Sequence, residues 1–141
     1  MVKRYNQLID VLQKMFVGKS VVFGNLNDDA RANICAIYVN ITSESIMQSG
    51  LGGVDRLFEL QGSIKLYSNG QCNLYKGYLG DTLIMSEHPT DITFGRNIQI
   101  EEFYNDTGNK IYNESVDFSY MVKESYNVNR LKEVFINGIN K

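Results

Sequence analysis

The sequence predicts an α+β domain: a mostly antiparallel sheet with an N-terminal and a central helix packed on one face. The clearest sign is a pair of alternating segments, 97–104 and 111–126, joined by Asp-Thr-Gly-Asn at 106–109. Because Asp, Gly and Asn tolerate positive φ, this turn predicts a hairpin. A third alternating segment at 57–67 predicts another strand, and helical spacing of apolar residues at 3–17 predicts a helix.

Length and composition are those of one ordinary globular domain. The chain has 141 residues, of which 43% are hydrophobic and 21% charged, so we expect a single domain over 1–141. The net charge of −2 and the pI of about 5.4 argue against a protein that binds nucleic acid through its phosphate backbone.

The N-terminal segment 3–17 reads as an amphipathic helix that Gly18 is well placed to end. Its apolar stripe follows helical spacing and comprises Tyr5, Leu8, Leu12, Met15 and Phe16, widened by Ile9 and Val11.

Short apolar segments then predict two strands, at 20–23 and 32–42, with a polar turn at 24–29 between them. A loose stretch follows at 43–55. Three glycines in the four positions 50–53 give it high conformational freedom. We therefore expect 43–55 to be mobile in a free subunit and ordered in an assembly.

The alternating segments predict which side chains form the core. Alternate positions within 57–67 and within 111–126 carry apolar residues, and we expect both apolar faces to face the helices. These core positions are Phe58, Leu60, Ile64, Leu66, Val116, Phe118, Tyr120 and Val122.

The segment 71–87 is ambiguous between a helix and a hairpin. Cys72, Tyr75, Leu79 and Leu83 fit a helical stripe, whereas two glycines at 77 and 80 weaken it, and helix is the favoured interpretation. His88-Pro89 ends this element, and 129–138 predicts a short terminal helix.

Residue types that carry catalysis are sparse. His88 is the only histidine, and the two cysteines, Cys35 and Cys72, are far apart in sequence. No zinc site follows from one His and two separated Cys, and no nucleophile-elbow motif is present. A disulfide between the cysteines is a minor alternative to Cys35 acting as a small apolar residue. We predict no enzyme, no cofactor and no metal site.

Three further clusters favour structural interpretations. Gly50-Leu51-Gly52-Gly53 lacks the Lys and Ser/Thr of a phosphate loop, so a mobile loop is preferred. The polar residues at 25–29 lack the register of an EF-hand, which leaves a solvated turn. Glu101 and Glu102 are adjacent in a predicted strand and therefore point to opposite faces, which does not suit an acid–base pair.

The first seven residues lack the apolar core of a signal peptide, and no segment reaches membrane-spanning length. We therefore expect a protein made in the cytoplasm, with no membrane partner.

The order of elements resembles that of the tail terminator, or tail-to-head joining, proteins of long-tailed phages, which include minor capsid and neck proteins. The matching stretches are a helix at 5–16, a strand at 21–23, a strand that begins with Asp at 55–67, a helix at 71–85 and the final hairpin at 98–122 with Asp-Thr-Gly at its turn. One departure is that the central segment carries Gly77 and Gly80, where members of the family usually have an Ala-rich helix.

The resemblance implies a structural virion protein without catalysis. Its homohexameric ring would cap the tail tube and receive the head connector, and in a contractile particle it would also meet the sheath. DNA would pass through the ring without specific binding. The alternatives are another neck, head-closure or baseplate adaptor, a protein-binding module of another kind, or an enzyme that uses His88.

Apolar side chains with no evident core to enter indicate the interface of such a ring. They lie in and beside the glycine-rich loop, where they would order against a neighbouring subunit or the tube. The predicted interface residues are Ile46, Met47, Gly50, Leu51, Gly52, Gly53, Val54 and Arg56.

Overall fold

The computed structural model describes residues 2–24, 36–49, 55–68, 73–104 and 108–125. These residues form two α-helices and one six-stranded sheet, as expected for the predicted α+β class. In chain order the elements are α1 (Lys3–Met15), β1 (Ser20–Phe23), β2 (Ala36–Ser49), β3 (Asp55–Ser68), α2 (Tyr78–Met85), β4 (Ile92–Phe94), β5 (Gln99–Tyr104) and β6 (Lys110–Ser125).

The sheet is built around two long central strands. β3 and β6 pair antiparallel from Asp55 opposite Ser125 to Ser68 opposite Tyr112. β2 lies antiparallel on the other edge of β3, and β1 pairs in parallel with the start of β2. β4 and β5 both pair with β6 on its remaining edge, so the sheet order is β1-β2-β3-β6 followed by β4 and β5.

The helices cover one face of this sheet, as the alternation predicted. All eight predicted core side chains are buried in one cluster with Leu8, Leu12, Met15 and Phe16 of the α1 region and with Leu79 of α2. This cluster forms because alternate strand residues give the sheet one apolar face and helical spacing gives α1 one apolar stripe. The two apolar surfaces pack against each other.

A second, smaller cluster lies on the sheet face opposite the helices. Tyr67 is 5% exposed, and its ring contacts that of Phe103 edge-on, with centroids 5.6 Å apart. The cluster consists of Ala36, Tyr38, Tyr67 and Ile111, with Phe103 packed against them.

The predicted loop at 43–55 is wrong for most of its length. Residues 43–49 belong to β2, and Asp55 begins β3. The register of β2 against β3 shifts at Thr42 and again at Met47, where β2 holds one extra residue each time. After each bulge, the side chains of β2 lie on the opposite face of the sheet from the one that unbroken alternation would give. The simple alternation is lost there, although the strand continues.

The central helix is confirmed but shorter than predicted. α2 covers 78–85, which excludes a hairpin there, and Tyr75 lies before it with 47% of its surface exposed. Gly77 adopts φ +90° as the residue before the helix, so it helps to start α2 rather than weakening its interior.

The hairpin is confirmed between β5 and β6, with Tyr104 opposite Lys110 and Gly108 at φ +82° in the turn. The three-residue strand β4 was not predicted, because so short a segment shows no alternation. The polar turn at 25–29, the start of the predicted strand at 32–35, both cysteines and the terminal helix at 129–138 lie outside the described residues.

Candidate assembly surface

Two of the predicted interface residues, Ile46 and Arg56, lie exposed at one end of the sheet. We call this end, formed by 46–49 of β2 and 55–57 of β3, the distal end. Ile46 stands opposite Phe58 and is 52% exposed, although Phe58 itself is buried. Arg56 pairs with Ser49 and is also exposed. The distal end therefore presents an apolar side chain and a cation to solvent.

The other predicted interface residues are placed less fully. Met47 is the extra residue of the second bulge in β2, next to Ile46. Gly50, Leu51, Gly52, Gly53 and Val54 lie outside the described residues, as does the proposed phosphate loop that they contain.

A polar cluster fastens the start of α1 beside the distal end. The Arg4 guanidinium donates to Glu44 of β2 and, at 3.4 Å, to Glu124 of β6, and the Tyr5 hydroxyl also donates to Glu44. The same guanidinium lies 4.2 Å from the ring centre of Phe58. The hydrogen bond from Tyr5, with help from Arg4 and against the effect of burial, lowers the pKa of Glu44.

This cluster predicts a loss of stability in acid. Because the folded-state pKa of Glu44 lies below its unfolded value of about 4.3, its contribution is present above that pH and disappears as pH falls through the folded-state pKa. Glu44→Gln should lower the free energy of unfolding by about 1 kcal/mol at neutral pH, and by progressively less in acid.

Urea unfolding of both chains from neutral pH to about pH 3 checks this. Glu101→Gln on β5 is the control, because Glu101 is exposed and should change little. An equal loss at every pH for Glu44→Gln would show that its charge has no part in fastening α1.

An exposed apolar surface elsewhere on the molecule, which we call the helix-end patch, was not predicted. It consists of Val17, Ile84 and Met85, which are 78%, 84% and 84% exposed. Val17 follows the end of α1, and Ile84 and Met85 occupy the last turn of α2. The Ser86 hydroxyl lies 3.5 Å from the Met15 carbonyl oxygen, so the two helices end side by side.

The exposure of Ile84 and Met85 could have been found from the sequence. Helical spacing that buries Leu79 and partly buries Leu83 turns Ile84 and Met85 outward. The uncertainty between helix and hairpin at 71–87 concealed this, because the two structures expose different residues.

The sheet face opposite the helices holds a shallow polar depression of about 450 Å³. Glu59 is held beside it by the amide of Gln61 at 2.7 Å and the hydroxyl of Ser119 at 3.0 Å. Most lining side chains are polar or small, namely Thr42, Gln61, Gly62, Ser63, Thr93, Gly95, Asp117 and Ser119, with Phe94 and Phe118 beside them.

His88 is exposed, as expected for a turn histidine. Its ring meets Phe94 edge-on at 5.4 Å, and its Nε2 lies in hydrogen-bond contact with the Leu83 carbonyl. Glu101 and Glu102 are both exposed, and the Glu102 carboxylate binds Lys76 and Lys110 at 2.7 and 2.9 Å. In the described ranges, no three His, Cys, Asp or Glu side chains group closely enough to hold a metal ion.

None of the helices in the described part of the chain is long and apolar enough to cross a membrane. A comparison with protein-family models gave no match, and a comparison with curated proteins gave no significant match.

Proposed function

We propose that this chain is a structural subunit whose copies, six in number, form a ring that caps the tube of a phage or phage-like tail. The ring joins the tail to the head or collar in the virion. The observation that supports this is the presence of two different exposed surfaces at opposite ends of α1: the distal end, with Ile46 and Arg56, and the apolar helix-end patch.

Two different surfaces are what a ring requires. In a head-to-tail contact, each subunit offers one surface to the neighbour before it and another to the neighbour after it. Arg4 at the start of α1 contacts the strands beside the distal end, and Met15 at its other end contacts Ser86 beside the helix-end patch. A helix of 13 residues spans about 20 Å, so the two surfaces do not overlap.

Charge supports the same contact. Arg56 is exposed at the distal end, and Glu87, two residues after Met85, is exposed beside the helix-end patch. Apolar side chains at the centre of an interface with opposite charges at its rim would fix the orientation of the subunits.

The remaining partners follow from the function of such a ring. One rim meets the tail tube protein, and the sheath protein where the tail contracts, and the other rim meets the head connector. The net charge of −2 and the polar depression with Asp117 suit a lumen through which DNA slides without specific binding.

Substitution at either surface tests the proposal. Ile46→Asp and Met85→Asp should each convert rings into monomers, because a carboxylate would be buried in the contact. Both side chains are exposed in the subunit, so its stability should change by about 0.5 kcal/mol or less. Sedimentation velocity measures the assembly, and urea unfolding measures the fold.

Tyr104→Ala is the matched control, because Tyr104 is 69% exposed on β5 and belongs to neither surface. Its rings should persist. A wild-type chain that remains monomeric at every concentration, or rings that survive both Asp substitutions, would contradict the proposal.

The consequence for the particle can be seen directly. Particles assembled with Ile46→Asp should carry tails of uncontrolled length, or tails that do not join heads, in electron micrographs. Uniform tails joined to heads would remove the distal end from the mechanism.

A further inference from the structure

Glu114 is a carboxyl group buried beneath the start of α2. It lies on the helix-facing side of β6, between Leu66 of β3 and Ile100 of β5, and none of its surface is exposed. A carboxylate in such a position is costly unless it is paired with a cation or fully hydrogen-bonded.

The carboxyl group holds the first turn of α2. Its Oε1 accepts the Gly77 N–H at 3.1 Å, and the backbone N–H of Leu79 also bonds to the group. Gly77 presents its N–H from φ +90°, a conformation that a side chain would strain. One acidic side chain of the sheet thus satisfies amide groups that the helix itself leaves unpaired.

The second oxygen of Glu114 is poorly satisfied. Oε2 makes no hydrogen bond to any described residue, and neither does the buried Ser68 hydroxyl of β3. The hydrogen bonds from the Gly77 and Leu79 amides favour the charged form of Glu114, and so does the nearby Ser68 hydroxyl, although Ser68 does not offer normal hydrogen-bond geometry.

No cation near Glu114 compensates its charge within the described residues. On α2 the charged neighbour is Asp81, which carries the same sign and accepts the Tyr75 hydroxyl at 2.8 Å. Lys76 precedes Gly77, but its amine binds Glu102 of β5 at 2.7 Å. Ile100 and Leu66, the register neighbours on β5 and β3, are apolar. Burial is therefore the largest effect, and it raises the pKa of Glu114.

We propose that α2 is held to the sheet by a proton-dependent latch, in which Glu114 binds the first turn of α2 as a neutral carboxyl group and releases it on ionisation. With its proton in place, Oε2 becomes a donor, and no charge is buried. Glu114, Gly77 and Leu79 belong to neither the distal end nor the helix-end patch, although α2 itself also carries Ile84 and Met85 of that patch.

The direction of the pH effect follows from linkage. A carboxyl group whose pKa is higher in the docked state than in the open state stabilises docking below the open-state value and loses this effect as pH rises through the docked value. Between the two values, the equilibrium constant for opening of the first turn should rise by up to about tenfold per pH unit, and above them it should be constant.

Hydrogen exchange of the α2 amides, corrected for intrinsic rates, measures this opening constant across the range from about pH 4 to pH 9. In the wild-type chain the constant should rise with pH as described, whereas in Glu114→Gln, a neutral side chain of the same shape, it should not. Glu101→Gln, on the exposed edge, should behave as the wild type does. A parallel rise in Glu114→Gln, or a flat wild-type profile, would overturn the latch.

A measurement on the wild-type chain keeps the test decisive if Glu114→Gln does not fold. Carbon-13 NMR of the glutamate carboxyl groups should show Glu114 titrating with a midpoint above the ordinary value of about 4.3. A midpoint at or below that value would overturn the latch just as clearly.

Discussion

Phe118→Ala is expected to lower the free energy of unfolding by about 3–5 kcal/mol, because it removes a large ring from the centre of the core. Phe118 is 4% exposed and lies between Gly62 of β3 and Phe94 of β4 in the register of the sheet. It belongs to the core cluster that also contains residues of the other strands and of both helices, so the packed surroundings have little freedom to close the cavity.

Urea unfolding of Phe118→Ala and of Tyr104→Ala compares a buried with an exposed aromatic side chain. Tyr104→Ala should lower the free energy of unfolding by about 0.5 kcal/mol or less, because Tyr104 is exposed. Equal losses for the two variants would mean that Phe118 does not face the helices and that the register of β6 is different.

Gly62→Ala is expected to lower the free energy of unfolding by about 3 kcal/mol or more, the upper end of the range for overpacking. A Cβ at Gly62 would lie 1.9 Å from the carbonyl oxygen of Asn40 and 3.0 Å from the Cα of Ile41. Both atoms belong to the backbone of β2, next to the bulge at Thr42, so relief requires the strand itself to move.

Gly95→Ala is the matched control for Gly62→Ala. A Cβ at Gly95 would meet Asp117 at 3.6 Å, an ordinary van der Waals distance. Thermal unfolding of the two variants should show a large drop in Tm for Gly62→Ala and a small one for Gly95→Ala. A small change at both positions would show that β2 does not cross Gly62 so closely.

Local periodicity predicted the fold wherever the elements are regular. Apolar and polar residues alternate through most of β3 and β6, so Phe58 and Phe118 could be assigned to the core directly. The α1 stripe is equally regular, and Leu8 and Leu12 are fully buried as expected. In these elements the need to bury one face determines which positions are apolar: every second residue in a strand, and every third or fourth residue in the helix.

Prediction failed where the role of a residue depends on a contact with a distant part of the chain. The bulges at Thr42 and Met47 exist only in relation to β3, and they made 43–49 look irregular. Glu114 follows the apolar side of β6, and only the placement of α2 above it explains a carboxyl group there. Gly62 likewise looks unfavourable in a strand when only the sequence is considered. The structure explains it, because the backbone of β2 lies too close to Gly62 for a side chain to fit.

The candidate surface was predicted in part for the same reason. Ile46 and Arg56 were assigned to an interface because nearby apolar residues had no evident core to enter, and both are exposed at the distal end. The helix-end patch depends on α1 and α2 ending side by side, which is a tertiary contact. No pattern within either helix could place the two helix ends next to each other.

Mixing the two interface variants tests head-to-tail assembly itself. Ile46→Asp retains an intact helix-end patch, and Met85→Asp retains an intact distal end. An equimolar mixture can therefore form one intact contact per pair and no more. Native mass spectrometry should find monomers in each separate sample and a one-to-one heterodimer in the mixture. A mixture that contains only monomers, or rings in either separate sample, would contradict a ring built through these two surfaces.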